Sequence, residues 1–428
     1  MDSYARPQPA PADAPATTMN TGPLIIITML FFMWGALTAL NDVLIPHLKA
    51  VYTLTYVQAM LVQFCFFGAY FIASLPAGAL VKRIGYQRGV VAGLAIASTG
   101  CALFYPAATG GYGMFLTAFF VLACGITVLQ VAANPYVTVL GNPRTASSRL
   151  TLTQAFNSLG TTVAPVIGGV LILGAGVLDA AQVTNLPAAA QASYRAGQAA
   201  AVQMPYLILS ATLLLLALIF SFARLPQVST APDAGKVATG SIFAHRHLVL
   251  GIVGIFMYVG AEVSIGSFLI SFLGEPHIAG LPADTAAHYV GLYWGGSMVG
   301  RFVGFAVMRK ISPGKVLAVS AACSLALVLT AIIAEGTVAM WAILAVGLCN
   351  SIMFPVIFSM ALHKLGGHTG RGSGLLCMAI VGGAIVPFAQ GLMADHISLQ
   401  ASYAVPAVCY GYVLFYGFKF SGMYRDQS

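Results

Sequence analysis

Apolar residues fall in long, nearly unbroken blocks along this chain, and polar residues are confined to short connections between them. Twelve blocks approach the ~20 residues that a membrane-crossing helix requires. They cover approximately 23–46, 56–81, 89–108, 112–140, 150–176, 204–223, 248–273, 285–308, 316–334, 338–362, 372–394 and 399–419. The pattern predicts an all-α integral membrane protein of twelve transmembrane helices. One block is interrupted in an informative way. Within Val128-Leu-Gln130-Val-Ala-Ala-Asn134-Pro135-Tyr136, Gln130 and Asn134 stand four apart and project from one helix face. Pro135 follows directly, and its missing N–H and its ring predict a kink there. Amides and a kink are tolerated at membrane depth where they face a cavity or a partner helix.

Only 7% of the 428 residues are charged, against about a quarter in soluble proteins. The net charge of +8 would suit a nucleic-acid binder, but its distribution does not. Of nineteen Lys and Arg, sixteen fall on one side if the amino terminus is cytoplasmic: Arg6, Lys82, Arg83, Arg88, Arg144, Arg149, Arg224, Lys236, Arg246, Arg309, Lys310, Lys315, Lys364, Arg371, Lys419 and Arg425. Lys49 and Arg195 fall outside, and Arg301 lies within a span. This positive-inside bias predicts both termini in the cytoplasm of an inner-membrane protein and explains the basic balance without nucleic acid.

Residues 1–22, rich in Pro and Ala, read as a disordered tail and not as a signal peptide. A polar stretch at 224–247 reads as a flexible cytoplasmic linker between six-helix bundles at 23–223 and 248–420, with a short tail at 421–428. The two bundles repeat. Gly78-x3-Lys82-Arg83 matches Gly304-x3-Met308-Arg309, and Arg149, Gly160, Pro165 and Gly169 match Arg371, Gly382, Pro387 and Gly391. Parallel repeats of this kind place a substrate near the midplane between the halves. This is the architecture of the major facilitator superfamily.

The loop Gly78-x3-Lys82-Arg83-Ile84-Gly85-Tyr86-Gln87-Arg88 resembles that superfamily's cytoplasmic motif, with Lys82 where an acid is usual. Asn41-Asp42-Val-Leu-Ile-Pro46, Gln130-Val-Ala-Ala-Asn134-Pro135-Tyr136 and Leu152-Thr-Gln154-Ala-Phe156-Asn157-Ser158-Leu-Gly160 resemble the fucose:proton symporter family, closest to its glucose/galactose transporter members. Tyr258-Val-Gly-Ala-Glu262 and Gly300-Arg301-Phe-Val-Gly304 fit the same branch. The resemblance implies ion-coupled symport of a neutral hexose by alternating access. It puts the proton-coupling acid at Asp42, and it puts Gln130 where the fucose carrier has a Glu. Sodium is the alternative ion, because Gln130 cannot titrate.

The residues themselves point the same way. An ionisable group within a span costs ~2.5–3.5 kcal/mol or more, which marks Asp42 and Glu262 as functional candidates. Trp34, Thr38, Asn41 and Asp42 share a helix face, a ring platform beside polar groups. Gln154 and Asn157 lie on the next helix face opposite Gln130, and neutral amides suit a polyol whose hydroxyls both donate and accept. Tyr258 and Asn350 complete the expected substrate set. Asn134, Pro135, Arg83, Arg301 and Arg309 read as gating or structural residues, Arg301 within the small-residue ladder Gly296–Gly300–Gly304. The alternatives for each are helix-to-helix bonding, or an internal pair between Glu262 and Arg301.

Seven cysteines without a CxxC and eight histidines without metal spacing predict no disulfide framework, metal or cofactor. The expected partners are a neutral monosaccharide, a co-transported proton and membrane lipid, with the chain working as a monomer. N-acetylglucosamine or fucose is the alternative substrate. From a different class, a non-transporting sugar sensor would carry a long signalling extension, and only eight residues follow Phe420. Within the spans no nucleophile–base pair at helical spacing suggests an enzyme.

Overall fold

With no water inside a bilayer to satisfy the backbone, each apolar block must bond its own N–H and C=O groups, and helices result. The structure, a computed structural model, describes residues 21–52, 56–172, 202–223 and 241–423 and a few positions between 186 and 197. Within these, the side chains of 21, 23, 39–52, 56–63, 164–172, 283, 284 and 287 lie outside that description. The first half comprises α1 (Thr21–Tyr52), α2 (Tyr56–Ile84), α3 (Tyr86–Ala102), α4 (Phe104–Gly110), α5 (Tyr112–Val139), α6 (Ala146–Ile172) and α7 (Gln203–Phe222). The second comprises α8 (Arg246–Gly274), α9 (Ala283–Val307), α10 (Pro313–Ile333), α11 (Gly336–Asn350), α12 (Met353–Ala361), α13 (Thr369–Met378), α14 (Gly382–His396), α15 (Leu399–Ser402) and α16 (Ala404–Lys419). Pairing α3 with α4, α11 with α12, α13 with α14 and α15 with α16 gives six crossings in each half. Eight of the described helical stretches are by themselves long and apolar enough to cross a membrane. Among the described residues there is no strand.

Residues 1–20 and most of the expected linker, 224–240, lie outside the described residues. The linker's expected last residues, Arg246 and His247, already belong to the first turn of α8. The predicted kink at Pro135 is also absent as a break, since α5 runs on to Val139. The interruptions fall instead at Leu103 in the first half and at 351–352, 379–381 and Tyr403 in the second. Pro135 has no N–H to give the carbonyl of Val131 four residues earlier. The Ser373 hydroxyl of α13 donates to that carbonyl at 2.9 Å, so the helix need not open.

The sequence repeat is a packing repeat. A Cβ on Gly160 of α6 would lie 2.1 Å from the Phe32 carbonyl of α1, and one on its repeat mate Gly382 would lie 2.2 Å from the Phe256 carbonyl of α8. Each half therefore uses a glycine at this repeat position to bring two backbones into contact, and Gly35 of α1 does the same against the Asn157 carbonyl. Membrane helices associate by this means without a hydrophobic drive.

The halves meet mainly toward one end, where α2 and α5 touch α13 and α6 touches α9 and α12. Ser147 and Ser359 share a hydrogen bond of 2.6 Å, and the Ser148 hydroxyl donates to the Phe305 carbonyl at 2.8 Å. A Cβ on Gly78 would lie 2.9 Å from the Gly370 carbonyl. Lys82, Arg83, Arg88, Arg144, Arg309, Lys310, Lys364 and Arg371 sit in the helix ends and connections at this end. We call it the basic end, and it is closed.

Candidate functional site: a cavity between the halves

Above the closed basic end the halves enclose a cavity of about 500 Å³. The first half lines it with Trp34 and Thr38 of α1, Phe66, Phe67 and Tyr70 of α2, Phe119 and Gln130 of α5, and Gln154 and Asn157 of α6. The second half lines it with Val259, Glu262, Val263, Gly266 and Ser267 of α8, Trp294 and Arg301 of α9, and Phe354 and Ile380. Polar groups are few and set among aromatic rings, the composition of a small-molecule pocket.

The amides are brought together as the helix spacing implied. The close α1–α6 crossing seats Asn157 against α1, where its Nδ2 donates to the Phe31 carbonyl at 2.9 Å. The carboxamide oxygen of Asn157 makes no hydrogen bond among the described residues, and Trp34 stands three residues on from Phe31 with the two rings 5.3 Å apart. Gln130 and Gln154 are nearly buried, and the Gln130 Oε1 and Gln154 Nε2 atoms have no partner among the described residues. Both side chains line the pocket, and these two atoms lie just beneath its surface. Buried polar groups are normally bonded, and a hydroxyl satisfies either.

Across the cavity stands a charged cluster. The Tyr258 hydroxyl donates to Glu262 Oε1 at 2.7 Å, and Arg301 Nη2 lies 3.8 Å from the same oxygen. The Arg301 Nε donates to the Ser351 carbonyl at 3.1 Å, and its Nη1 reaches the first half at the Gln154 carbonyl, 3.2 Å away, and at the Ser158 hydroxyl. The internal Glu262–Arg301 pair is therefore formed, and both partners still line the cavity.

Other expected site residues lie elsewhere. Asn350 does not line the cavity: it is fully buried, and its Nδ2 donates to the Tyr293 and Tyr410 hydroxyls at 2.9 and 3.1 Å. Tyr258 is buried behind Glu262 and supports it. Asn134 is buried with both amide atoms unpartnered among the described residues, so the helix-to-helix bond expected of it is not made. Arg83 and Arg309 are exposed at the basic end, Arg309 with its guanidinium 5.8 Å from the Phe305 ring centre. The side chains of Asn41 and Asp42 lie outside the described residues; on α1, Asp42 follows the cavity-lining Trp34 and Thr38 at intervals of eight and four. Among the described residues no His, Cys, Asp and Glu grouping suits a metal ion, and all seven cysteines are free.

Sequence reasoning passed over the α2 aromatics, Ser158, Ser373 and Arg149. Arg149 is buried and donates to the Val137, Thr138 and Asn142 carbonyls, tying the α5–α6 turn together. Its signal was available, an arginine opening an apolar block, but its repeat mate Arg371 is exposed and gives no hint of burial.

The chain matches the model of the Major Facilitator Superfamily over residues 24–387. It belongs to that superfamily. Over 396 residues it is 57% identical to a protein of Brucella abortus named glucose/galactose transporter, covering 92% of this chain and 93% of that one. It is 36% identical over 403 residues to the L-fucose-proton symporter of Escherichia coli, covering 92% of each. Among solved structures, that of the E. coli fucose:proton symporter superposes with a TM-score of 0.87 at 32% identity, over 94% of this chain and 99% of that one. A second structure of FucP, described as in the outward conformation, also gives 0.87, at 33% identity over 93% and 98% of the two chains. The proton:xylose symporter XylE, at 13% identity and a TM-score of 0.65, shares the fold.

Proposed function

We propose that this protein takes up a neutral hexose of the glucose or galactose type by proton-coupled symport, working by alternating access as a monomer in the inner membrane. The observation that carries the reading is the cavity's polar lining: the neutral amides of Gln130, Gln154 and Asn157 beside the rings of Trp34 and Trp294. Uncharged amides recognise hydroxyls without demanding an anion. The one arginine at the cavity has its guanidinium nitrogens engaged by Glu262 and by carbonyls, so it does not form the fork that a carboxylate or phosphate substrate would need. The names carried by the Brucella and E. coli relatives support the sugar and the proton respectively.

Asp42 is the coupling acid in this reading. It follows the lining residues Trp34 and Thr38 along α1 at intervals of eight and four, and Gln130, itself a lining residue, cannot titrate. The clustering of Lys and Arg at the closed end supports a cytoplasmic position for that end, with the cavity loading from outside. Sugar and proton then favour the opposite opening only through their differential affinity for the two states.

Counterflow of a labelled hexose panel in proteoliposomes, wild type beside Asp42→Asn, tests this. Exchange needs no ion gradient. The wild type should exchange glucose or galactose, and Asp42→Asn should still exchange while losing gradient-driven accumulation. A wild type that exchanges no neutral sugar would sink the proposal and bring a sensor forward.

A further inference from the structure

Arg301 divides its nitrogens between two tasks. Nε is anchored on the Ser351 carbonyl, which lacks its helical donor because Pro355 stands four residues on, and Nη2 faces Glu262. A Cβ on Gly300 would lie 2.3 Å from the Ser351 hydroxyl, so the glycine lets α9 press Arg301 onto that anchor. Ser351, Glu262 and Arg301 all belong to the second half and move with it. Only Nη1 crosses, to the Gln154 carbonyl and the Ser158 hydroxyl of α6. At ~1.5 Å per residue, Arg301 sits roughly 9 Å from the basic end of α9, and Gln154 roughly 12 Å from that of α6. The contact is therefore the cavity floor, one layer above the Ser147–Ser359 and Ser148–Phe305 bonds.

We infer that Arg301 is a releasable latch that holds the basic end shut, with Glu262 as its permanent counter-ion within the same half. The inference rests on the transport reading only in that alternating access requires the basic end to open. Opening breaks the Nη1 bonds and leaves the ion pair and the Ser351 anchor intact, so no charge is stranded in the membrane when the latch lets go. A lysine cannot replace it: one ammonium on a flexible stem lacks the planar fork that serves an anchor, a counter-ion and a crossing bond together.

Hydrogen–deuterium exchange on the full-length protein in lipid nanodiscs, without sugar, reads the latch. Arg301→Lys should exchange several-fold faster than wild type in segments 146–158 and 369–378, with the outer segments of α6 and α9 unchanged. Ser158→Ala, which leaves the ion pair untouched, should shift the same segments in the same direction by less, and it decides the matter if Arg301→Lys does not fold. Wild-type exchange at the basic end in the folded variant, or faster exchange at both ends alike, would overturn the latch. Ten-fold weaker glucose binding with unchanged basic-end exchange would make Arg301 a sugar ligand instead. If the wild type counterflows no sugar, the transport reading falls, while the exchange result still decides the latch.

Discussion

Replacing Ser373 by alanine should unlock the basic end. Its hydroxyl donates at 2.9 Å to the Val131 carbonyl across the interface of the halves, and both residues are fully buried. Pro135 cannot supply the usual helical N–H, so Ser373→Ala leaves that carbonyl orphaned. Leaving a buried acceptor unsatisfied costs about 1–3 kcal/mol. The bond joins the two halves and exists only while the basic end is closed, so the cost falls on one conformer. The closed population should drop by a factor of about 5–150. Hydrogen–deuterium exchange of 131–139 and 369–378 reads that population directly. The control is Pro135→Ala, which returns an N–H to Val131 from within α5. In that background Ser373→Ala should cost far less, giving a clear coupling energy in the double-mutant cycle. Equal effects of Ser373→Ala with and without Pro135 would refute the argument that the proline vacates the carbonyl for its partner.

Gln154→Ala should raise the KM of hexose counterflow by about 2–12-fold, the worth of one ordinary hydrogen bond, with little change in maximal rate; a fall in rate at constant KM would place Gln154 outside the binding site. Gly160→Ala puts a methyl 2.1 Å from the Phe32 carbonyl and should lower thermal stability by about 1–3 kcal/mol or more through overpacking; an unchanged Tm would contradict the α1–α6 crossing. Burial, with Lys364 and His247 adding repulsion, holds the His363 imidazolium down to about 4. The unfolded chain then binds the proton more tightly, so stability is full above about pH 6.5 and declines toward pH 4. His363→Gln should flatten that part of the Tm–pH profile, and a slope equal to wild type would assign it to another group.

The repeat explains why some site residues were legible in the sequence and others were not. The spans follow from apolar block length, which the bilayer imposes almost alone. Gln130, Gln154 and Asn157 were legible because an amide in hydrocarbon needs a reason, and the cavity is that reason. Asn350, also an amide within a span, carries the same signal, yet Tyr293 and Tyr410 fill its donor capacity. One-dimensional pattern cannot tell an amide facing a cavity from one facing two tyrosines. Ser373 and Ser158 were invisible for the opposite reason. A serine in a span is unremarkable by itself, and its role depends on a carbonyl in the other half.

Prolines explain where the mobile contacts can form. Helices in a membrane gain little from apolar burial against one another, so polar contacts weigh more in deciding which end of a two-bundle protein is closed. A helix ordinarily offers few such contacts, because its carbonyls are already engaged. Pro135 of α5 and Pro355 of α12 each free one: Val131 in the first half and Ser351 in the second. The first is taken by a serine from the opposite half, the second by an arginine from its own half that then reaches across. Exchanging the prolines therefore separates the two roles. Pro135→Ala should weaken the interface directly by offering Ser373 a carbonyl already bonded. Pro355→Ala should loosen the Arg301 anchor and slow transport while leaving the Ser373 contact in place. If both variants shifted basic-end exchange equally and neither changed counterflow, the freed carbonyls would be packing details and not the points on which the halves turn.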